Sequence, residues 1–142
     1  IDDERICFTK DDMFETEDED LKYTLKWLVP NSQKNEMEPI MITLDPGGKY
    51  IEEEPHQGEE FGYVLSGTIT LHLGDKSYKV KKNESFYFKP RANHYISNNG
   101  KTTAKVINTT PTTVINIIVF PLFYYDICIL QPLVLYFLLV KF

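Results

Sequence analysis

Apolar and polar side chains alternate along most of the chain between residues 21 and 114. Tyr23, Leu25 and Trp27 alternate with polar neighbours, and Ile69 and Leu71 repeat the pattern further along the chain. A period of two places every second side chain on one face, which is typical of a half-buried strand. The pattern predicts strands at 23–27, 37–44, 61–66, 68–73, around 78–80, and at 86–88, 94–97 and 104–108.

Turn residues separate these segments. Pro30-Asn31-Ser32 ends the first, Asp45-Pro46-Gly47-Gly48 ends the second, and Gly67 marks a bend between two others. Helix signals are nearly absent. Many short strands with frequent turns favour an all-β sandwich or barrel. A sandwich that closes its edges as a jelly roll carries its binding site in the mouth of the barrel.

Charge is distributed unevenly over the 142 residues, whose net charge is −6. Residues 1–20 hold ten acidic and two basic side chains, so this segment alone carries −8. We interpret 1–20 as an acidic segment leading into the first strand, and 21–114 as the domain proper. Binding to duplex DNA requires a basic stripe, and none is visible. We therefore expect no direct nucleic-acid contact by this chain.

Residues 115–142 have a different composition. Of these 28 residues, all are apolar except Asn116, Pro121, Asp126, Gln131, Pro132 and Lys141. A membrane span needs about 20 uninterrupted apolar residues, and Asp126 and Pro132 interrupt this run. Four interpretations stay open: a membrane-associated tail, a buried hairpin, a dimer-interface segment, or an extension produced by a shifted reading frame.

The cysteines and the beginning of the chain bear on the compartment. Cys7 and Cys128 lie far apart, which argues against a disulfide framework and favours reduced thiols. No signal peptide precedes the acidic start. These features predict a cytoplasmic protein. Because the chain begins with Ile, we also expect it to be part of a longer protein.

Three residues carry the candidate chemistry. His56 and Glu60 are four residues apart in a Gly-containing stretch, and His94 follows several predicted strands later. Two imidazoles and one carboxylate can bind a divalent transition metal on one face and leave the other face open. The same groups could instead hold an organic ligand through hydrogen bonds. Both alternatives stay open from the residues alone.

Acidic and aromatic residues surround this trio in the sequence. If two of the acids Glu52, Glu53, Glu54, Glu59 and Glu60 point inward, the pocket carries negative potential and favours a metal ion or an organic amine. An ammonium group is also attracted to an aromatic face. The candidate aromatic walls are Tyr50, Tyr63, Tyr87 and Phe86, of which Phe86 is better explained by core packing.

These residues resemble the two short motifs of the cupin superfamily. Glu54, His56, Glu60 and Gly67 occupy the positions of the first motif, with Glu54 standing where the family has its first histidine. Pro90, His94 and Asn98 are similar to the end of the second motif, which here lacks its glycine and has its Pro-to-His spacing one residue short. The resemblance implies a cupin jelly roll in which His56, Glu60 and His94 bind a divalent metal such as Fe, Mn, Zn or Ni.

A finer resemblance points to a function. The run 56–60, then Val64-Leu65 and Gly67, then 110–113, is similar to the C-terminal sensor domain of bacterial helix-turn-helix/cupin regulators of the putrescine-utilisation repressor type. It implies a homodimeric, effector-sensing domain without its DNA-binding part in this chain. The expected effector is a small molecule such as an amine, with Glu54, Tyr63, Tyr87 and Asn98 as ligand-binding residues.

An enzyme is the rival hypothesis. A mononuclear metal-dependent oxygenase, isomerase or epoxidase could use the same two-histidine, one-glutamate site. The sequence shows no general acid or base beyond the ligands, so no catalytic residue is assigned and a non-enzymatic role is favoured.

Overall fold

The computed structural model of the protein describes residues 5–30 and 34–112. The turn at Asn31-Ser32, Cys128 and the apolar segment 115–142 lie outside the described residues. A short 3-10 helix, Lys10–Asp12, precedes nine strands. The strands are β1 (Phe14–Asp18), β2 (Tyr23–Trp27), β3 (Met37–Leu44), β4 (Glu60–Ser66), β5 (Thr68–Leu73), β6 (Lys76–Lys81), β7 (Ser85–Phe88), β8 (His94–Ser97) and β9 (Ala104–Pro111). None of the helices in this described part has the length or apolar character needed to cross a bilayer.

The strands form two antiparallel sheets. The larger has six strands in the order β1-β2-β3-β9-β4-β7, and the smaller has three in the order β6-β5-β8. Neighbours that are distant in sequence, such as β3 and β9, pair over eight residues. This arrangement confirms the all-β prediction.

The core lies where the alternating residues of both sheets meet. Ile42, Val64 and Val106 come from the larger sheet and Ile69 and Ile96 from the smaller one, and all five are at most 5% exposed. Burial follows the pleat, since every second residue of β3, beginning with Glu38, is buried. The apolar positions that predicted the strands are therefore the positions that hold the sheets together.

Gly67 carries the chain from the larger sheet to the smaller one, since it is the single residue between β4 and β5. Its φ of +73° lies in the left-handed region, and a Cβ at this position would be 2.8 Å from the backbone Cα of Ala104. Only glycine fits such a bend without strain. The bend places β4 and β5 on opposite sides of the core.

Residues between β3 and β4 connect the smaller sheet to the candidate site. Two isolated antiparallel bridges, Lys49 with Ser97 and Glu53 with His94, join this segment to β8. The segment therefore extends the smaller sheet although it forms no regular strand. It brings the residues around Glu53 and His56 to the end of the barrel where β4 begins.

Candidate metal centre

Four side chains converge at the end of the barrel: His56, Glu60, His94 and Glu53. One potential ligand atom from each lies within 4.8 Å of the others. Glu60 Oε1 is 2.9 Å from His56 Nε2 and 3.0 Å from His94 Nε2. Glu53 Oε2 is 3.5 Å from His56 Nε2 and 3.4 Å from His94 Nε2. The structure thus brings together the three predicted residues and adds a second carboxylate.

Backbone pairing explains why these residues meet. Glu53 and His94 exchange backbone hydrogen bonds of 2.9 and 3.0 Å, and directly opposed residues of an antiparallel pair project their side chains to the same face. Glu60 begins β4 opposite Phe88 of β7. The His56 amide donates to the Pro90 carbonyl at 3.1 Å. The smaller sheet, its extension and the larger sheet each contribute to the cluster.

Both imidazoles are oriented by their second nitrogen. The Nδ1–H of His94 donates to the Ala92 carbonyl at 2.9 Å, and that of His56 donates to the Gln57 carbonyl at 2.8 Å. A carbonyl only accepts hydrogen bonds, so Nδ1 carries the proton in each ring. Nε2 is therefore the ring nitrogen that faces the carboxylates, and once it has no proton its lone pair can bind a metal. This arrangement is the usual support for a metal-binding histidine.

Burial and opposite charges shift the titration of the cluster. Burial alone would lower the pKa of His94, but the Glu53 and Glu60 carboxylates raise it to about 10. Burial would raise the pKa of Glu60, yet the two histidines lower it overall. The pKa of Glu53 is raised, mainly by burial and also by the charge of Glu60, against the lowering effect of His94. The cluster therefore favours a bound proton or another cation.

Two of the five acidic residues Glu52, Glu53, Glu54, Glu59 and Glu60 are buried, which is the condition under which the sequence predicts a pocket of negative potential. Glu53 and Glu60 are buried, at 6% and 3% exposure, while Glu52, Glu54 and Glu59 are exposed. Two buried carboxylates beside two imidazoles leave the cluster negatively charged whenever both rings are neutral. Buried charges of this kind are paired or bind metals.

The residues of the cluster fit a divalent transition metal. Imidazole suits Fe, Ni and Zn, and carboxylate suits Mn. His56 and His94 Nε2 with Glu53 and Glu60 would hold the ion. Glu53 Oε2 is buried without a hydrogen-bond partner among the described residues, and a cation would satisfy it.

Two spaces of different size adjoin the cluster. Inside the barrel, a cavity of about 20 Å³ is lined by Glu53, Glu60 and His94 together with Ile42, Tyr50, Leu71, Phe86, Phe88, Tyr95, Ile96 and Asn108. On the outer side of His56, a groove of about 1110 Å³ opens between residues 55–59, 89–91 and 110–111, with Glu36 and Met37 at its edge. Both volumes refer to residues 5–30 and 34–112. Only the groove is large enough for an organic molecule.

The four predicted ligand-binding residues lie away from the cluster. Glu54 is exposed, and Glu53 faces the site in its place. The Tyr63 hydroxyl donates to Asn83 Oδ1 at 3.3 Å on the outer face of the larger sheet. Tyr87 is 60% exposed. None of the four lines either space described above.

Asn98 holds the backbone together. It is fully buried and donates through Nδ2 to the carbonyls of Leu44 and Thr102, at 2.9 and 2.8 Å. Its Oδ1 accepts from the Gly100 amide at 3.0 Å. These bonds close the turn after β8 and fasten it to the end of β3. In this structure, the side chain that matches the second motif supports the fold.

Three residues that line the inner cavity or complete the cluster were not assigned a specific role from the sequence: Glu53, which was one of five candidate acids, Asn108, and Tyr50 as a polar group. Glu53 stands in a run of three glutamates in which no pattern singles out one member. Asn108 had a usable signal, because alternation along β9 places it on the buried face with Val106 and Thr110. Tyr50 was considered only for its ring, whereas the residue lines the cavity and its buried hydroxyl has no hydrogen-bond partner among the described residues.

Comparison with known families decides the identity of this fold. The family model of the cupin domain matches residues 40–110, half of the chain. The chain belongs to the cupin domain family. The match contains His56, Glu60 and His94, so the candidate metal centre lies within the part of the protein that defines the family.

Relatives of this cupin domain include enzymes and regulators. It is 37% identical over 82 residues to mannose-1-phosphate guanylyltransferase RfbM of Salmonella typhimurium, covering 58% of the chain and 17% of that protein. It is 30% identical over 114 residues to the helix-turn-helix transcriptional regulator PuuR of Escherichia coli, covering 79% of the chain and 60% of the regulator. The chain thus spans less than two thirds of either relative.

Solved structures confirm the fold of the cupin domain. Hydroxypropylphosphonic acid epoxidase from S. wedmorenis superimposes with a TM-score of 0.64 at 22% identity. The likeness covers 78% of this chain and 61% of the epoxidase. At this level of identity the similarity concerns the architecture alone.

Proposed function

We propose that this cupin domain binds a divalent transition metal and serves as the sensor domain of a helix-turn-helix transcriptional regulator. Metal binding is supported by one observation: two imidazole nitrogens and two carboxylates converge within 4.8 Å at the end of the barrel. The regulatory role is supported by the similarity to PuuR, which extends over 79% of the chain.

The inner cavity and the outer groove differ in size, and we therefore propose different ligands for them. The inner cavity of about 20 Å³ cannot contain a diamine or a sugar, so the cluster is suited to an ion. The outer groove has the volume for an organic effector, and its charged lining carries both signs, Glu36 and Glu59 with Lys89 and Arg91. The choice of an amine as effector therefore rests on the similarity to PuuR. His56 lines the groove and also belongs to the cluster. An effector in the groove would therefore contact the metal site through this side chain.

Regulation requires a difference in affinity between two states. An effector shifts an attached DNA-binding domain only if it binds one arrangement of the regulator better than the other. Metal would fix the positions of His56 and Glu53 relative to β4. We propose that this ordering prepares the groove for the effector.

Metal titration of matched histidine variants tests the metal site. Chelator-treated protein should bind Mn(II), Co(II) or Zn(II) with a stoichiometry near one per chain in isothermal titration calorimetry. His56→Ala should weaken binding by more than about 100-fold, since loss of a supporting group alone costs about 10- to 100-fold. His72→Ala is the control, because His72 lies outside the cluster and bonds Ser97 and Ser77. Equal affinities of the two variants would refute the site.

Thermal-shift measurements test the effector. Di- and polyamines should raise the melting temperature of the metal-loaded protein, because a ligand stabilises the folded state by RT ln(1 + [L]/Kd). Glu59→Gln should reduce this shift, while Glu84→Gln, which changes an exposed glutamate away from the groove, should not. An absence of shift at millimolar amine would refute an amine effector and leave the metal site standing.

An enzyme is the second candidate, favoured by one observation. The cluster lies against an inner cavity, so a bound metal could have a coordination position without a protein ligand. In an enzyme this position supplies Lewis-acid or redox chemistry. Sensor and enzyme are separated by exchanging the metal: a sensor should respond to its effector with redox-inactive Zn(II), whereas an oxygenase should need iron.

A further inference from the structure

Three residues that line the inner cavity each carry a buried polar atom without a hydrogen-bond partner in residues 5–30 and 34–112. These atoms are the Tyr50 hydroxyl, Asn108 Oδ1 and Glu53 Oε2. Tyr50 is 3% and Asn108 5% exposed. Most buried polar atoms in folded proteins have a partner, because an unmade hydrogen bond costs free energy. Three such atoms around one cavity indicate a bound molecule.

Different parts of the fold hold these side chains rigidly. The Tyr50 amide donates to the Ile96 carbonyl at 2.9 Å, and its ring packs edge-on against Tyr23 at 5.0 Å. Asn108 lies in the middle of the larger sheet, opposite Ile40 of β3 and Gly62 of β4. Neither side chain can turn to solvent without disrupting the core. Their polar atoms must be satisfied inside the cavity.

The chemistry of the three atoms selects the molecule. Burial and the nearby Glu53 carboxylate hold the pKa of Tyr50 well above its usual value, so the hydroxyl keeps its proton and can donate it. Asn108 Oδ1 and the carboxyl oxygen Glu53 Oε2 are acceptors. A molecule that accepts one hydrogen bond and donates two would satisfy all three atoms. Water has this capacity.

The volume of the cavity agrees with this choice. About 20 Å³ is enough for one water molecule, which needs roughly 10–15 Å³ and two to four polar partners. No organic ligand fits into the same space. The apolar remainder of the lining, including Ile42 and Leu71, would restrict movement of the molecule away from the polar atoms.

We propose that Tyr50 and Asn108 form a binding site for a single water-sized oxygen ligand on the inner side of the four-residue cluster. The site belongs to the chain itself and does not require the proposed metal. When a metal is bound, the same position adjoins it, so Tyr50 and Asn108 would act as positioning residues for its exchangeable ligand. The site would also exclude larger molecules from the interior of the barrel.

Removal of the Tyr50 hydroxyl tests whether a molecule in the inner cavity is hydrogen-bonded to it. In chelator-treated protein, Tyr50→Phe should raise the unfolding equilibrium constant roughly fivefold in urea denaturation, because a bridging hydrogen bond is lost. Tyr78→Phe, which removes a hydroxyl from a half-exposed ring, is the control. If no molecule is hydrogen-bonded to the hydroxyl, Tyr50→Phe removes an unpaired buried group, and the unfolding equilibrium constant should stay equal or fall. That result would overturn the proposal.

A double-mutant cycle tests whether the two residues share one molecule. Tyr50→Phe combined with Asn108→Leu should cost less than the sum of the single changes, because either one releases the same ligand. Strict additivity would contradict a shared site. Should the Asn108 variant fail to fold, a crystal structure of the unmodified chain decides: density for one oxygen atom within hydrogen-bond distance of both side chains supports the proposal, and its absence refutes it. Both measurements omit metal, so a failed metal titration leaves them interpretable.

Discussion

Glu53 and Glu54 are adjacent in sequence but have opposite surroundings. Glu53 is bridged to His94 and buried, whereas Glu54 points to solvent. We predict that Glu53→Gln weakens metal binding by about 100-fold or more, because it removes a charged ligand. Glu54→Gln should change the affinity by less than about threefold, since exposed charges act weakly through solvent. Competition with a chromophoric chelator measures both constants.

A loss of metal binding in Glu53→Gln or Glu54→Gln is informative only if the variant is still folded. Glu53→Gln also removes one of two neighbouring buried carboxylates, so the metal-free variant should be at least as stable as the parent. Circular dichroism of each variant shows whether the fold is intact. If Glu54→Gln proved to be the damaging change, the family's first ligand position would be occupied by Glu54 in solution.

The Asn98 side chain is hydrogen-bonded to the backbone, so its removal should lower the stability of the fold and leave metal affinity unchanged. Asn98→Ala leaves two carbonyls and one amide without their partner. We predict a loss of about 3 kcal/mol in the free energy of unfolding, from the roughly 1–3 kcal/mol that each unsatisfied buried group costs, reduced by relaxation. Asn99→Ala, at the exposed neighbouring position, should cost about 0.5 kcal/mol or less. Urea denaturation measures both changes.

The metal affinity of folded Asn98→Ala decides between a structural and a ligand role. The side chain does not line the cluster or either space, so the affinity should match that of the parent. A weakening comparable to that of Glu53→Gln would return Asn98 to the binding site.

At the scale of elements, the β4–β5 corner depends on glycine. Gly67 and Gly47 both have positive φ, of +73° and +78°, but a Cβ would meet Ala104 only at Gly67 and would meet nothing within 4 Å at Gly47. Gly47→Ala should cost about 1 kcal/mol, the price of a left-handed alanine. Gly67→Ala should cost about 2–4 kcal/mol, because overpacking against the backbone adds to that strain. Equal costs for the two variants would show that β9 moves aside freely.

Most strands were predictable because burial alternates along them. In β3 and β9 every second residue is buried, so the sequence pattern and the structure coincide. β1 was not predicted as a separate strand. Its residues, Phe14–Asp18, are mostly exposed, and it pairs with β2 at the edge of the larger sheet. A strand that buries no continuous face leaves no periodic signal in the sequence.

The site was only partly predictable, for a different reason. His56, Glu60 and His94 could be identified because two imidazoles and an acid form a known chemical combination. The selection of Glu53 over Glu54 depends on the bridge to His94, which joins residues 41 positions apart. Tyr63 and Tyr87 were expected in the pocket, but strand register turns both outward. Local spacing does not determine such long-range pairings.

At the scale of the whole molecule, the cluster connects the two sheets. Glu60 belongs to the larger sheet, while His94 and its partner Glu53 belong to the smaller sheet and its extension. A cation held among them would therefore resist separation of the sheets, and metal binding should stabilise the entire domain. A homodimer, expected from the family resemblance, stays a prediction.

The charge balance of the cluster gives the domain a pH dependence that metal should alter. The pKa of His94 is raised from 6.5 to about 10 in the folded chain. The raised pKa means that the protonated ring stabilises the fold fully below about pH 6.5, and this contribution disappears as the pH rises through 10. Glu60 acts in the opposite range: its lowered pKa stabilises the fold above the usual carboxyl value of 4.5 and is lost at lower pH. The raised pKa of Glu53 offsets part of that gain.

We therefore predict that the melting temperature of chelator-treated protein falls steadily from pH 6.5 to pH 10. His94→Gln should flatten this slope, and His72→Ala should keep it, since His72 lies outside the cluster. Metal affinity should change in the opposite direction and rise with pH, because the ion replaces the proton on His94 and its binding releases that proton. Calorimetry in buffers of different ionisation enthalpy measures the proton release directly. Metal binding without proton release at pH 7 would mean that His94 is already neutral, and that the two carboxylates are compensated by another group.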